Sequence, residues 1–222
     1  MNNIVISLDT DWASDFIIEY CINLLDKYSC KAVFFATNDS NLLKNLNSKE
    51  FEIGIHPNFN NSLNDLEKPI KDLMNIYPNS IGGRSHGLFV SSSIISNYKK
   101  FGLKYESNNF LFLHPKLIIT ERYKDFKSVP FFWSDDKYLE FGSKSHTHLN
   151  VEGLKVYNFH PIHIFLNTPF YDYYEKNKKY YHDHLMLKKN RFKGFGACDF
   201  FEKVLLEIHS EQRVTTLIKD LV

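Results

Sequence analysis

The sequence is short of most features that mark a function at first sight. Its 27 lysines and arginines nearly balance 26 aspartates and glutamates, for a formal charge of +1, so it offers no basic field to a nucleic-acid backbone. No apolar run approaches the roughly 20 residues of a membrane span, and the opening MNNIVISLDTDW lacks a basic segment followed by a long apolar one. The expectation is a soluble cytoplasmic protein. Cysteine is scarce: Cys21, Cys30 and Cys198 are odd in number, widely spaced and set among apolar residues, which favours buried reduced thiols over a disulfide or a thiolate metal site. No glycine-rich loop follows a strand-like segment, which weakens a nucleotide-phosphate reading. No serine or cysteine stands in an arrangement that supports nucleophilic catalysis. Internal repeats and low-complexity linkers are also missing.

What is present is enough apolar sequence for one core. At 222 residues and 43% hydrophobic content, a single domain spanning residues 1–222 is expected. Aromatic residues make up 16%, with clusters at Phe165 to Tyr174 and at Tyr180-Tyr181 that could line a sugar groove or simply pack.

Strand-like and helix-like segments alternate along the chain. Ile4 to Leu8 reads as a strand, Phe16 to Tyr28 as a helix, Lys31 to Ala36 (KAVFFA) as a strand, Asp39 to Leu46 as a helix and Phe51 to Ile55 (FEIGI) as a strand. A helix over Asn64 to Tyr77, stopped by Pro78, leads to a strand-like entry at Ile81 to Arg84. A helix over Ser91 to Phe101 follows, with Gly102 placed to cap it. Further strand-like pieces fall at Leu103 to Glu106, Phe110 to Leu113, Val129 to Trp133 and Leu154 to Phe159. Cys198 to His209 carries one apolar helical face. Strands apolar on both faces, alternating with helices, predict a parallel sheet covered by helices, and this count favours a distorted or incomplete β/α barrel.

In such folds reactive groups collect at the C-terminal ends of the strands, and the polar residues here fall there. Asp9 and Asp11 end the first strand, His56 ends FEIGIH, and Arg84 and His86 end IGGRSH. Asp135 and Asp136 follow VPFFW, and His160 ends VYNFH. Singly, each has an ordinary explanation: Asp11 or Asp15 could cap the helix that begins near Ser14 or Phe16, and a strand-end histidine is often structural. Together they suggest a divalent cation. One carboxylate and two neutral imidazoles form a ligand set for a zinc-like ion with a position open for water, and the ion would relieve repulsion between Asp9 and Asp11. Coordination lowers the pKa of water from about 15.7 towards about 7. One of the two aspartates would bind the ion while the other, Asp9, acts as general base, and His160 could protonate a leaving amine. Trp12 and Trp133 adjoin the site, where either could stack on a sugar ring or close over the core. His163 could face the same pocket or pack beneath it. The pairs His146/His148 and His182/His184 have metal-compatible spacing without the carboxylate context of the strand-end group.

The order of these motifs resembles the polysaccharide deacetylase superfamily, carbohydrate esterase family four. The stretches EIGIHPNF, RSHG, PFFWSDD and NFHPIH are similar to its WbmS-like branch, which is associated with bacterial surface-polysaccharide biosynthesis. The likeness runs from residue 4 to about residue 168. It implies a distorted (β/α)7 barrel, with Asp9 as catalytic base and Asp11 and His56 as metal ligands. It further implies Arg84 as the residue holding the base, Asp135 or Asp136 as the group orienting the acid, and His160 as general acid. One position departs from the pattern: a second histidine is usual four residues after the first, and here Asn60 stands there. Asparagine is a poor ligand for zinc beside imidazole, so His86 is the candidate to complete the site.

The resulting expectation is a hydrolase dependent on a divalent metal, Zn2+ by its ligand types. It would remove an N-acyl group from an acylated amino sugar, free or linked to a lipid or nucleotide. Two alternatives stay open: a non-catalytic carbohydrate-binding or assembly protein that has lost the metal, and a hydrolase of another C–N amide bond.

Overall fold

In the computed structural model, which describes residues 2–62, 64–141 and 146–222, six-residue β1 (Ile4–Asp9) is buried along its whole length, as its continuous apolar run requires. It is followed by α1 (Asp15–Lys27), β2 (Ala32–Ala36), α2 (Asn41–Lys44), β3 (Phe51–Ile55), α3 (Lys68–Ile76), β4 (Gly82–Gly83), α4 (Ser92–Lys100) and β5 (Tyr105–Glu106). These are the β/α units expected from the sequence, with shorter ends. α3 begins at Lys68 rather than Asn64 because the Asp65 carboxylate accepts from the Glu67 and Lys68 amides, which sets the first turn there. Gly102, at φ 85°, caps the far end of α4 as expected.

The second half adds β6 (Thr120–Tyr123), β7 (Phe126–Ser128), β8 (Trp133–Ser134), α5 (Asp135–Phe141), β9 (Lys155–Phe159), α6 (Pro161–Leu166), α7 (Tyr171–Asn177), α8 (His184–Lys189) and α9 (Ala197–Ser210). The hairpin of β6 and β7 was not anticipated. Phe110 to Leu113, expected as a strand, forms an isolated bridge from Phe110 to Phe131, with the Leu111 and Leu113 amides donating to Phe131 O and Phe132 O, rather than a regular strand.

Hydrogen bonding links the strands in the order β6-β7-β5-β4-β3-β2-β1-β9-β8, and every pairing is parallel except β6 with β7. β7 and β8 belong to one run of chain, and the residues between them hold both flanks. The Val129 amide donates to Glu106 O of β5, the Phe131 amide donates to Asn109 O, and the Phe132 amide donates to Val156 O in β9. Pro130 interrupts the run because it has no N–H to give. Counting that run once, the parallel strands β1, β2, β3, β4, β5, β7/β8 and β9 form a distorted seven-membered β/α barrel.

One continuous hydrophobic core fills the barrel and the layer beneath the helices. Gly82 is needed where it stands: a Cβ there would lie 1.9 Å from the Tyr105 ring. Trp133, a candidate sugar platform by sequence, belongs to this core. It is 2% exposed and stacks on Phe200 of α9 at 4.7 Å between centroids, so no ligand can reach its face. Side chains alternate across a strand, and with Ser134 lining the pocket at the mouth, Trp133 faces outward; Asp135 already belongs to α5. The three cysteines are free and buried, and no helix among the described residues is long and apolar enough to cross a membrane.

Candidate active site

The site is assembled by the period-two geometry of the strands. Ser7 and Asp9 point the same way from β1, and Asn158 and His160 point the same way from β9. Because β1 and β9 are parallel neighbours with Ser7 opposite Asn158, these four side chains meet inside the barrel. Arg84, just past β4, enters the same space and is fully buried. Its Nη1 donates to Asp9 Oδ1 at 2.9 Å, to Ser7 Oγ at 3.0 Å and to Asn158 Oδ1. Its Nε and Nη2 donate to the carbonyl and hydroxyl oxygens of Ser107, both at 2.8 Å. The guanidinium lies between the rings of Phe35 and Phe131, 4.4 and 4.7 Å from their centroids, which suits its flat and weakly hydrated faces. Asp9 Oδ2 accepts from Asn158 Nδ2 at 2.8 Å. Burial pushes the Asp9 pKa up, but Arg84 and then His56 and His160 outweigh it, and the carboxyl ends below its usual range.

Beyond β1 the chain makes a left-handed turn, with Asp11 at φ 42° and Trp12 at φ 62°. Such conformations cost about 1–2 kcal/mol per residue, and neighbours hold this one in place. The Trp12 amide donates to Thr37 Oγ1 at 2.7 Å, and the Tyr181 hydroxyl donates to Asp11 O. The turn aims the Asp11 carboxylate back over the barrel. Asp11 Oδ1 lies 3.2 Å from His56 Nε2 and 3.1 Å from His86 Nδ1. Burial opposes ionisation of Asp11, but its contacts with His56 and His86 prevail and its pKa falls. The same contact raises the pKa of His86 against its burial. The helix-cap reading of these aspartates does not hold: α1 is capped at Ser14 without a side-chain bond, and Asp15 instead accepts from the Ser40 hydroxyl and the Leu42 amide beside α2.

Asp11, His56 and His86 offer three ligand atoms within 4.8 Å of one another. The donor set fits a divalent ion of zinc type, one carboxylate oxygen and two imidazole nitrogens. The Nδ1 of His56 is buried and has no hydrogen-bond partner among the described residues, so they do not meet all the polar needs of this ring. Asn60 is exposed and its amide donates to Asn58 Oδ1, while His86 stands beside Asp11.

On the opposite side, His160 is held by Asp135. The carboxylate accepts from the His160 amide and contacts Nδ1, both at 2.7 Å. Nε2 is thereby directed to the mouth, 3.7 Å from Asp11 Oδ2 and 4.0 Å from Asp9 Oδ2. Burial lowers the His160 pKa, but Asp135 and Asp136 more than reverse this and carry it well above the usual histidine value. Asp135, buried, is pushed up to about 6 and stays ionised at neutral pH. Of the two adjacent aspartates, Asp135 makes the contact; Asp136 is exposed and faces the mouth.

Two lobes meet at this group. One, of about 450 Å3, is lined by Trp12, Tyr171, Tyr174, Lys178, Tyr181 and His182; the other, of about 420 Å3, is lined by Leu88, Phe110 and Phe131. Asp11, His86, Asp136 and His160 border both. Trp12 is exposed and sits edge-on to His86 at 5.1 Å. His163 lines the first lobe, its Nδ1 3.3 Å from the Thr168 hydroxyl. His184 packs on Phe16, and His146 and His148 flank a shallow surface pocket beside α9, remote from the mouth. Sequence reasoning did not single out Ser7 and Asn158, which share strand parity with Asp9 and His160, whereas Tyr174 and Tyr181, which line the first lobe, belong to the two aromatic clusters it named.

The distorted seven-stranded β/α barrel is a fold shared with solved family 4 carbohydrate esterases. The chain belongs to the WbmS-like polysaccharide deacetylase family, which it matches over residues 6–178. It is similar, at 26% identity and a TM-score of 0.83, to a Bordetella bronchiseptica protein described as a polysaccharide deacetylase involved in O-antigen biosynthesis; the match covers 92% of this chain and 90% of that one. In fold it is similar to a Streptomyces lividans family 4 carbohydrate esterase solved with acetate, at 9% identity and a TM-score of 0.54 over 97% and 92% of the two chains. A Clostridium thermocellum family 4 acetyl xylan esterase solved with a cobalt ion has 13% identity and a TM-score of 0.52 over 98% and 89%. No curated protein matches the chain.

Proposed function

We propose that this protein is a metal-dependent hydrolase that removes an N-acetyl or related N-acyl group from an acylated amino sugar in the making or modification of a bacterial surface polysaccharide. The observation that carries the reading is the convergence of Asp11, His56 and His86 on one side of the mouth and the Asp135–His160 pair on the other, with Asp9 between them. Membership of a polysaccharide deacetylase family and the likeness to the O-antigen protein support the substrate class.

A divalent ion, Zn2+ by its donor set, would be held by Asp11, His56 and His86, where it would acidify water and polarise the amide carbonyl. Asp9, kept ionised and fixed by Arg84 and Asn158, accepts the proton of the attacking water. His160, protonated at neutral pH and steered by Asp135, gives its Nε2 proton to the departing amine. Arg84 fixes the orientation of Asp9 and leaves it charged. Trp12 and the tyrosines of the first lobe offer ring faces on which a pyranose can lie.

The test is acetate release from free, nucleotide-linked and lipid-linked acetamido sugars, before and after chelation and after return of Zn2+. Activity is expected to vanish with the metal and return with it, and His56→Ala is expected to lose both together. Retained activity in a His56→Ala protein that holds no metal would reject the assigned roles.

A further inference from the structure

A second cluster of ligand atoms lies across the mouth from the first. Asp136, His160 and His163 each present one ligand atom within 4.8 Å of the others. Asp136 is exposed on the first turn of α5, while the two histidines are three residues apart at the start of α6 and are buried, their rings 5.6 Å apart. The outer partner of each imidazole is already in place. Asp135 holds His160 Nδ1 at 2.7 Å, and the Thr168 hydroxyl lies 3.3 Å from His163 Nδ1. That pairing leaves the Nε2 atoms as the ligands and is the usual means of fixing metal-binding histidines. Asp11 joins the two clusters, because its Oδ1 faces His56 and His86 while its Oδ2 lies 3.7 Å from His160 Nε2. Around one zinc ion with bonds of about 2.0–2.1 Å, neighbouring ligand atoms stand about 3.3 Å apart, so modest side-chain rotation brings this group into range.

We propose that Asp136, His160 and His163 form a second, inhibitory site for a divalent transition-metal cation, with Asp11 as a bridge to the first. This rests on the proposed role of His160. A cation on His160 Nε2 occupies the lone pair that otherwise carries the proton, so the protein with both sites filled has no acid to release the amine. The expected behaviour is activity that rises as one equivalent of metal binds and falls as a second does. Asp11, which serves the first ion, is shared, so the second ion binds more weakly.

The experiment is a calorimetric titration of metal-free protein with Zn2+, supported by Co2+ absorption spectra that report each coordination environment. Two classes of site and a final stoichiometry of two are expected. Asp136→Asn and His163→Gln should each weaken the second class by at least about 100-fold, because loss of an outer partner alone costs about 10–100-fold, and leave the first class unchanged. Both should also relieve inhibition by excess Zn2+. Asp136 is exposed, so its variant keeps the test valid if the buried His163 variant fails to fold. A single class of one equivalent, or two equivalents bound equally by wild type and Asp136→Asn, would overturn the second site and leave the deacetylase reading intact. Two equivalents bound by a protein that releases no acetate from any acetamido sugar would overturn the function and the inhibitory role while the second site itself survives.

Discussion

Arg84 and Lys155 are both fully buried cations in one barrel, but they occupy opposite ends of it in opposite company. Lys155 opens β9 at the closed end, where its Nζ donates to the carbonyls of Val151 and Gly153 at 2.7 and 2.9 Å. At the start of β3, Glu52 accepts from the Tyr105 hydroxyl and the Lys219 amide at 2.7 and 2.8 Å. These polar groups are satisfied by the protein, and although Glu52 borders a pocket of about 250 Å3, both its carboxylate oxygens are already bonded. At the mouth Arg84 is just as well bonded, yet the groups around it are not closed on themselves: Asp11 and His86 are turned to the pockets and His56 Nδ1 has no partner among the described residues. Buried polarity alone does not mark function. Polar atoms aimed at one shared space do.

The largest effect that tests this contrast is expected from Arg84→Ala. It leaves Asp9 buried and unpaired, a loss of about 3–5 kcal/mol, and should abolish deacetylation; denaturant melts and acetate assays read both, and a stability change below about 1 kcal/mol would break the distinction drawn for the mouth. Asp135→Asn comes next. His160 must be protonated to act as acid, so activity falls as pH rises through its raised pKa. Removing the Asp135 charge lowers that pKa, so the basic limb of the rate profile should move to lower pH with a loss of about 10²–10⁴-fold in turnover.

His163 offers a smaller test on stability. Burial, helped by His160, depresses its pKa to about 3, so between the ordinary histidine value and about 3 the unfolded chain binds more protons than the folded one. Its contribution is therefore present above that window and is lost as pH falls, at up to about 1.4 kcal/mol per pH unit. Acid titration of folding stability in wild type and His163→Gln should show a shallower slope in the variant. The smallest effect belongs to the closed end. Burial raises the Glu52 pKa against the Lys219 amide and Tyr105 hydroxyl, so its stabilising contribution is full at low pH and declines as pH rises through the folded value. Glu52→Gln should remove that decline and change the neutral-pH stability by less than about 1 kcal/mol, with deacetylation unaltered.

Much of this was legible in the sequence because strand residues alternate. Apolar runs ending in Asp9, His56, Arg84 and His160 announced both the parallel sheet and the end at which the site would lie. Asp11 was legible as a ligand candidate, but its left-handed turn was not, since nothing local demands a positive φ at an Asp-Trp pair. Trp133 was misread because adjacency to Asp135 along the chain says nothing about parity: it faces α9. Tyr174 and Tyr181 come from a stretch too polar and aromatic for either hydrophobic period, and only docking onto the barrel gives α7 and α8 their place. The hairpin of β6 and β7 escaped for a related reason, as every residue of β6 is exposed.

The pairing of β1 with β9 carries a consequence for synthesis. Ser7 and Asn158, which together frame Asp9, are 151 residues apart, and a ribosome adding about 5–20 residues per second separates their emergence by on the order of ten seconds. Throughout that interval β1 has one lateral edge bare and its aspartate lacks the amide that will clasp it. The nascent chain must therefore be shielded from neighbours until nearly three quarters of it has been translated, and a pause placed before β9 would lengthen the hazard in proportion.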